Sequence, residues 1–183
     1  MARVYLVRHG EAIGYDDSDP GLSELGVTQA RIVAGRLDEI VGAPIDIVTS
    51  PLRRARQTAQ PLAERWSTPA RVVDAVRELP SPGSHSERRP WLRAALRSTF
   101  AELGEQQREW RAEILRSLLQ FTRDTAVFTH AVVISAVVGY LQGDDRVLSF
   151  LPVNTSITVV DAIDGQLMLV DRGTGRDDVG SVG

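Results

Sequence analysis

The sequence predicts an α/β protein built on a mainly parallel sheet, and three observations carry that prediction. Short apolar runs at 4–7, 45–48 and 126–129 stop abruptly at polar residues, as strands buried on both faces do. Segments with apolar residues at helical spacing alternate with these runs, the pattern of a sheet covered by helices. Two of the runs are followed within two residues by a histidine, His9 after Arg8 and His130 directly, at the carboxyl edge where open α/β sheets bind ligands.

Each element has its own signal. Val4-Tyr5-Leu6-Val7 is a strand that breaks at Arg8-His9-Gly10, where glycine permits a sharp turn or a close approach to a ligand. A polar, turn-rich loop over 14–21 follows. Ser23 is a fair N-cap for a helix in which Leu25, Ile32, Val33, Leu37 and Ile40 recur at helical spacing, stopped by Gly42 and Pro44. After the second strand, Ser50-Pro51 reads as an N-cap with proline at the first helical position, and Leu52, Ala55, Ala59, Leu62 and Trp66 form one face of the helix. Arg71-Val72-Val73 is a weak third strand. Residues 80–90, rich in Pro, Ser, Gly and charge, read as loop. Helices are expected over 91–103 and about 106–122, the latter with a stripe of Trp110, Ile114, Leu118 and Phe121. The 126–129 strand is followed by a mostly buried helix over 131–141, closed by Gly143. Residues 156–162 and 166–170 read as strands joined around Asp164-Gly165, a hairpin signal.

Bulk properties exclude several functions. The 183 residues favour one domain, and the 43% hydrophobic and 25% charged fractions are ordinary for a globular protein. A formal net charge of −3 offers no general nucleic-acid surface, so any anion site must be local. There is no cysteine, hence no disulfide or thiolate chemistry, and no metal-ligand spacing; no metal or other cofactor is expected. The first apolar run is too short for a signal peptide and is interrupted by Arg8, and no run of about 18 apolar residues suggests a membrane span, so a cytoplasmic location is expected.

Chemistry concentrates at one sheet edge. His9 and His130 close equivalent strands. Arg53-Arg54-Ala55-Arg56 falls in the first turn of a helix, where cations are disfavoured and a bound anion would offset the cost. Guanidinium groups can neutralise a phosphoryl group, one imidazole can attack phosphorus, and a second can stabilise the equatorial oxygens. An alkoxide leaving group then needs a proton donor, and Glu78 in Val76-Arg77-Glu78-Leu79 is the candidate.

These residues fall into ordered blocks. Leu6-Val7-Arg8-His9-Gly10-Glu11, Leu22-Ser23-Glu24-Leu25-Gly26 with Gln29-Ala30, Thr49 to Ala59, Phe128-Thr129-His130 and Asn154 to Thr158 together resemble the histidine phosphatase superfamily, the phosphoglycerate-mutase-like group, over about residues 2–171. The resemblance implies a three-layer α/β/α sandwich with a mainly parallel mixed central sheet. It implies a single catalytic domain over 1–172 with a cap-like insertion at about 80–110, and the Gly- and Asp-rich residues 173–183 read as a flexible tail. It also implies a covalent phosphohistidine on His9, with Arg8, Arg54 and His130 around the phosphate. Arg54 rather than Arg53 takes the phosphate-binding place, because it directly precedes the alanine. Glu78 matches the family's acid by order and spacing.

The chain departs from the family at three places. Ala131 stands where glycine often follows the second histidine, and its small size still allows backbone approach to phosphate. Tyr15 stands where mutases often have asparagine. Glu78 is followed by Leu79-Pro80-Ser81-Pro82-Gly83 instead of a Phe-Gly and Trp-Glu-Gly-like run, which leaves His85 and Glu87 as alternative donors. The expected function is therefore a phosphatase acting on a small phosphorylated substrate, with no nucleic-acid or membrane partner and a homodimer compatible with the sequence. A phosphoglycerate mutase, a phosphohistidine protein phosphatase and a non-catalytic phosphate-binding module are the alternatives.

Overall fold

The computed structural model describes residues 1–14, 18–81 and 85–177, without the side chains of His85 and Ser86. Tyr15, Pro82, Gly83 and residues 178–183 of the expected tail lie outside the described residues. The elements are β1 (Ala2–Arg8), α1 (Glu24–Val41), β2 (Asp46–Thr49), α2 (Arg53–Trp66), β3 (Ala70–Val72), a 3₁₀ turn (Asp74–Val76), α3 (His85–Ala95), α4 (Glu105–Leu119), β4 (Thr125–Thr129), α5 (Ala131–Gln142), β5 (Leu151–Pro152), β6 (Ile157–Ile163), β7 (Gln166–Asp171) and β8 (Gly175–Arg176).

The described strands form a mixed six-stranded sheet in the order β3-β2-β4-β1-β6-β7, with a separate β5-β8 pair. β3, β2, β4 and β1 run parallel, whereas β6 pairs antiparallel with β1 and β7 antiparallel with β6. The sheet is thus mainly parallel with an antiparallel hairpin at one side. That hairpin turns through Asp164 and Gly165, both at positive φ, as a tight two-residue turn requires.

Alternation along β1 explains the two apolar layers. Val4 and Leu6 join a core with Val127, Ile114, Leu118 and Ile134, on the side of α4 and α5. Tyr5 and Val7 face the other way, into a core with Leu37, Leu62 and Phe128, on the side of α1 and α2. A strand buried on both faces has no room for polar alternation, which is why its sequence reads as a continuous apolar run.

Several boundaries differ from the sequence expectation. The apolar stripe of α1 is rotated: Leu25, Ile32 and Ile40 are exposed at 52%, 57% and 54%, while small Gly26, Ala30 and Ala34 are buried with Val33 and Leu37. Small residues let α1 sit close to its neighbours, a preference that hydrophobic spacing does not register. Ser23 does cap α1, accepting from the Gly26 N–H at 3.0 Å, and Gly42 ends it in the left-handed conformation.

Ser50 is not the cap of α2. That helix starts later, at Arg53, with Leu52 at the N-cap position and no side-chain cap. Residues 85–90, expected as loop, form the start of α3, which carries Pro90 inside it and ends at Ala95 rather than near 103. Pro90 is the sixth residue of this helix, a position where the ring removes a backbone donor and the sequence rules expect a break. Finally, Gly175–Arg176 of the expected tail is a strand, paired with β5. No helix among the described residues is long and apolar enough to cross a membrane.

Candidate active site

Parallel register brings the carboxyl ends of three strands to one place. Arg8 of β1 lies opposite Thr129 of β4, and Thr49 of β2 opposite Phe128. The residues that follow, His9, Ser50 and His130, therefore meet at one edge. The His9 and His130 rings stand edge to face with centroids 5.2 Å apart.

His9 is held from several sides. Its N–H donates to Thr129 O at 2.9 Å, and Asn154 Nδ2 donates to its carbonyl at 2.9 Å. The ring Nδ1 lies 2.7 Å from Gly10 O, and Arg54 Nε approaches Nε2 at 3.1 Å. A carbonyl only accepts and the guanidinium only donates, so the hydrogen sits on Nδ1 and the Nε2 lone pair faces Arg54. Burial, reinforced by the Arg54 and Arg8 charges, pushes the His9 pKa down to about 3 against the opposing bond to Gly10.

His130 is fully buried at the end of β4. Its Nε2 is 2.8 Å from Ser50 Oγ, and that oxygen accepts from the Leu52 N–H at 3.2 Å. Its Nδ1 has no hydrogen-bond partner among the described residues and lies 3.8 Å from Glu78 Oε2. Burial first, then Arg54, His9, Arg8 and Arg88, keep His130 well below the usual imidazole range. Ala131 opens α5 directly after it, so the unpaired donors of a helix N-terminus begin at this position.

Arg54 is the central cation: beyond its contact with His9, it lies 3.8 Å from Glu78 and 4.0 Å from Asp19. Arg8 directs Nη1 to Pro152 O at 2.6 Å. Thr155, at φ 58, donates its N–H to Arg8 O at 3.0 Å, a strained conformation for a β-branched residue at the end of β1.

The structure brings Glu78 to the pocket. The carbonyls around it are each pinned: Thr129 Oγ1 donates to Val76 O at 2.7 Å, Trp110 Nε1 to Arg77 O at 3.0 Å and Gln107 Nε2 to Pro80 O at 3.0 Å. Val76 and Leu79 are fully buried on either side. Glu78 Oε1 accepts the Leu79 N–H at 3.1 Å. Burial raises its pKa and outweighs the opposing pull of Arg54, the Leu79 N–H, Arg88 and Arg8. The alternative donor Glu87 is exposed on α3, and the His85 side chain lies outside the described residues.

Sequence reasoning did not single out Ser50 as the partner of His130, Thr58 or Arg88. Thr58 Oγ1 receives the Gly10 N–H at 3.0 Å and donates to Arg54 O at 2.7 Å, tying the His9 turn to α2. Arg88 on α3 donates to Ser81 Oγ at 3.0 Å. The block Thr49 to Ala59 contained Ser50 and Thr58, but only geometry assigns their partners.

Two glycines allow the His9 turn to pack on α1. A Cβ on Gly26 would stand 2.0 Å from Glu11 O, and one on Gly10 would stand 2.6 Å from Gly26 O. Gly26→Ala is expected to destabilise the fold by about 1–3 kcal/mol, as overpacking does, and to lower turnover as the turn shifts. A denaturant midpoint unchanged from wild type would contradict this contact.

The family model of the histidine phosphatase superfamily (branch 1) matches residues 4–174. A probable phosphoglycerate mutase GpmB of Yersinia pestis is 35% identical over 85 residues, 43% of this chain and 39% of that protein. The matching stretch thus spans about two fifths of the curated relatives' length. Among solved structures, a mycobacterial glucosyl-3-phosphoglycerate phosphatase superposes with a TM-score of 0.74 at 24% identity, covering 93% of this chain and 98% of the other. A phosphoserine phosphatase from Entamoeba histolytica gives a TM-score of 0.69 at 23% identity, over 93% and 96% of the two chains. At those identities the likeness is one of fold.

Proposed function

This chain belongs to the histidine phosphatase superfamily, and on that premise we propose that it hydrolyses a small phosphomonoester through a phosphohistidine on His9. The observation that carries the reading is the His9 ring, neutral, with its hydrogen on Nδ1 against Gly10 O and its Nε2 lone pair turned into the pocket. Both ring nitrogens are satisfied, but the partner of Nε2 is a guanidinium that an incoming phosphate would draw to itself, which frees the lone pair of a neutral imidazole for attack.

The steps follow from the geometry. Arg54 turns its donors from Nε2 to the incoming phosphate, and Arg8 shares the charge. Nε2 attacks phosphorus as the P–O bond to the alcohol breaks, and Glu78 gives its proton to the departing oxygen. Ser50 O–H donating to His130 Nε2 leaves the hydrogen on Nδ1, the buried atom without a partner, which donates to a phosphoryl oxygen. The α5 N-terminus at Ala131 supplies a further donor. Water then attacks the phosphohistidine, Glu78 takes its proton, and Nε2 leaves.

The deep burial of both histidines favours a narrow phosphate head group over a bulky one. The names of the solved relatives support a phosphatase, whereas that of the curated relatives favours a mutase as the second reading. A phosphomonoester panel assayed for released phosphate tests the first. Conversion of 3-phosphoglycerate to 2-phosphoglycerate without phosphate release would support the second instead.

The two adjacent arginines provide a check on register. They lie about 100° apart around α2, so only one can serve the His9 pocket well. Arg54→Ala is expected to lower kcat/KM by about 10²–10³, the usual weight of one transition-state donor, and Arg53→Ala to have much the smaller effect on p-nitrophenyl phosphate. Arg54→Lys is expected to recover only part of the loss, because lysine lacks the planar fork. The reverse order for 53 and 54 would overturn the assignment.

A further inference from the structure

A flank of α2 beside Arg54 borders the larger of two adjoining hollows. It has a volume of about 550 Å³, within the usual range for small-molecule sites, and Arg53, Arg56, Gln57 and Gln60 line it. These positions follow one another at i, i+3, i+4 and i+7, so they form a single stripe. The opposite wall is the edge of the sheet, where β3 contributes Ala70 and Val72, the latter 50% exposed. A second hollow of about 290 Å³ shares Gln57 and Gln60 and continues toward α1.

Two exposed guanidinium groups, those of Arg53 and Arg56, line this hollow. The first turn of α2 contains no acidic residue of its own, and the carboxylate beside it is Asp19 of the preceding loop, which accepts the Arg53 N–H. Among the described residues, neither the Arg53 nor the Arg56 side chain forms an ion pair. The chain as a whole is acidic, so this charge is a local arrangement. The Arg53 and Gln57 side chains are packed along Gly21, where an added Cβ would meet Gln57 Oε1 at 2.9 Å and Arg53 Nε at 3.3 Å. Gln57 Oε1 is already engaged by the Leu22 N–H at 2.8 Å, which leaves its amide NH₂ as the donor.

We propose that this hollow is a second binding site, for a small organic anion whose phosphate or carboxylate head is held by Arg53 and Arg56 and whose body rests on Ala70 and Val72. Asp19 separates it from the His9 pocket: its carboxylate accepts the Arg53 N–H at 2.9 Å and lies 4.0 Å from Arg54 Nη1. With a common wall, the anion has two sources, a separate effector or the far end of a substrate whose phosphate sits at His9.

Nitrogen-15 NMR with inorganic phosphate and AMP as probes tests the site without relying on turnover, so it can fail independently of the phosphatase reading. Both probes are expected to shift the Arg53 Nε and the Arg56, Gln57 and Gln60 amide resonances saturably. The Arg53→Ala/Arg56→Ala double variant is expected to weaken that response at least about tenfold, a loss worth about 1.4 kcal/mol. Arg56→Glu, a single exposed change, is expected to do the same with the remaining amide spectrum intact. Persistence of the AMP response in Arg54→Ala identifies a separate anion; its loss there, with the phosphate response retained, identifies the far end of a spanning substrate. Shifts confined to the His9 pocket for both probes, or a response undiminished in both variants, overturns the site.

Discussion

His9→Ala is expected to lower turnover by on the order of 10⁴-fold or more, the scale on which loss of a covalent nucleophile is felt. The variant keeps Arg8, Arg54 and His130 around the phosphate, so binding should survive far better than chemistry. The matching direct measurement is a rapid quench with labelled substrate. The wild type should yield a phosphoryl adduct that is labile in acid and stable in base, as a phosphoramidate is, and His9→Ala should yield none. An adduct that persists in the variant would move the nucleophile elsewhere. The low His9 pKa of about 3 adds a pH test: the nucleophile is unprotonated throughout the neutral range, so its ionisation should not limit the free enzyme near pH 5–7.

Glu78→Gln carries the second large effect. A general acid must hold its proton at working pH, and burial raises the Glu78 pKa toward that condition. The sign is fixed by the role. Glu78 is active while protonated, so turnover of alkyl phosphates is retained below its pKa and lost as pH rises through it. Glu78→Gln should lower alkyl phosphate turnover by about 10²–10⁴ and remove that alkaline limb. p-Nitrophenyl phosphate, whose leaving group needs little protonation, should respond weakly. Equal losses on both substrates would show that Glu78 acts in some other way.

Much of this arrangement was legible in the residues, for reasons that differ between elements. Buried parallel strands must be apolar on both faces, so β1, β2 and β4 announced themselves as short runs, and the parallel order then forced His9 and His130 to the same edge. The α1 face was misread because Gly26, Ala30 and Ala34 are buried by close approach rather than by hydrophobic bulk. Ser50 looked like a helix cap because caps and hydrogen-bond partners of histidine use the same hydroxyl. α3 was hidden by Pro90 and by a polar composition. Glu78 was placed by spacing alone; its burial depends on Thr129, Trp110 and Gln107, which come from distant parts of the chain and leave no local trace.

Those three contacts bear on how the protein can change over evolutionary time. Two of the donors, Thr129 and Trp110, belong to the β4 strand and the buried face of α4, and they grip the main chain rather than the carboxylate. The proton-donor position is thereby moored to the core, upstream of the α3 region. The exposed positions of α3 are consequently the part of this region that can be exchanged while the acid stays in place, whereas Ala95 and Phe100 cannot, because both are buried in the same core and Phe100 stacks on Trp110. A library randomised at those exposed positions should retain p-nitrophenyl phosphate turnover while its preference among alkyl phosphates drifts, whereas equal diversity at 76–80 should extinguish alkyl phosphate turnover outright.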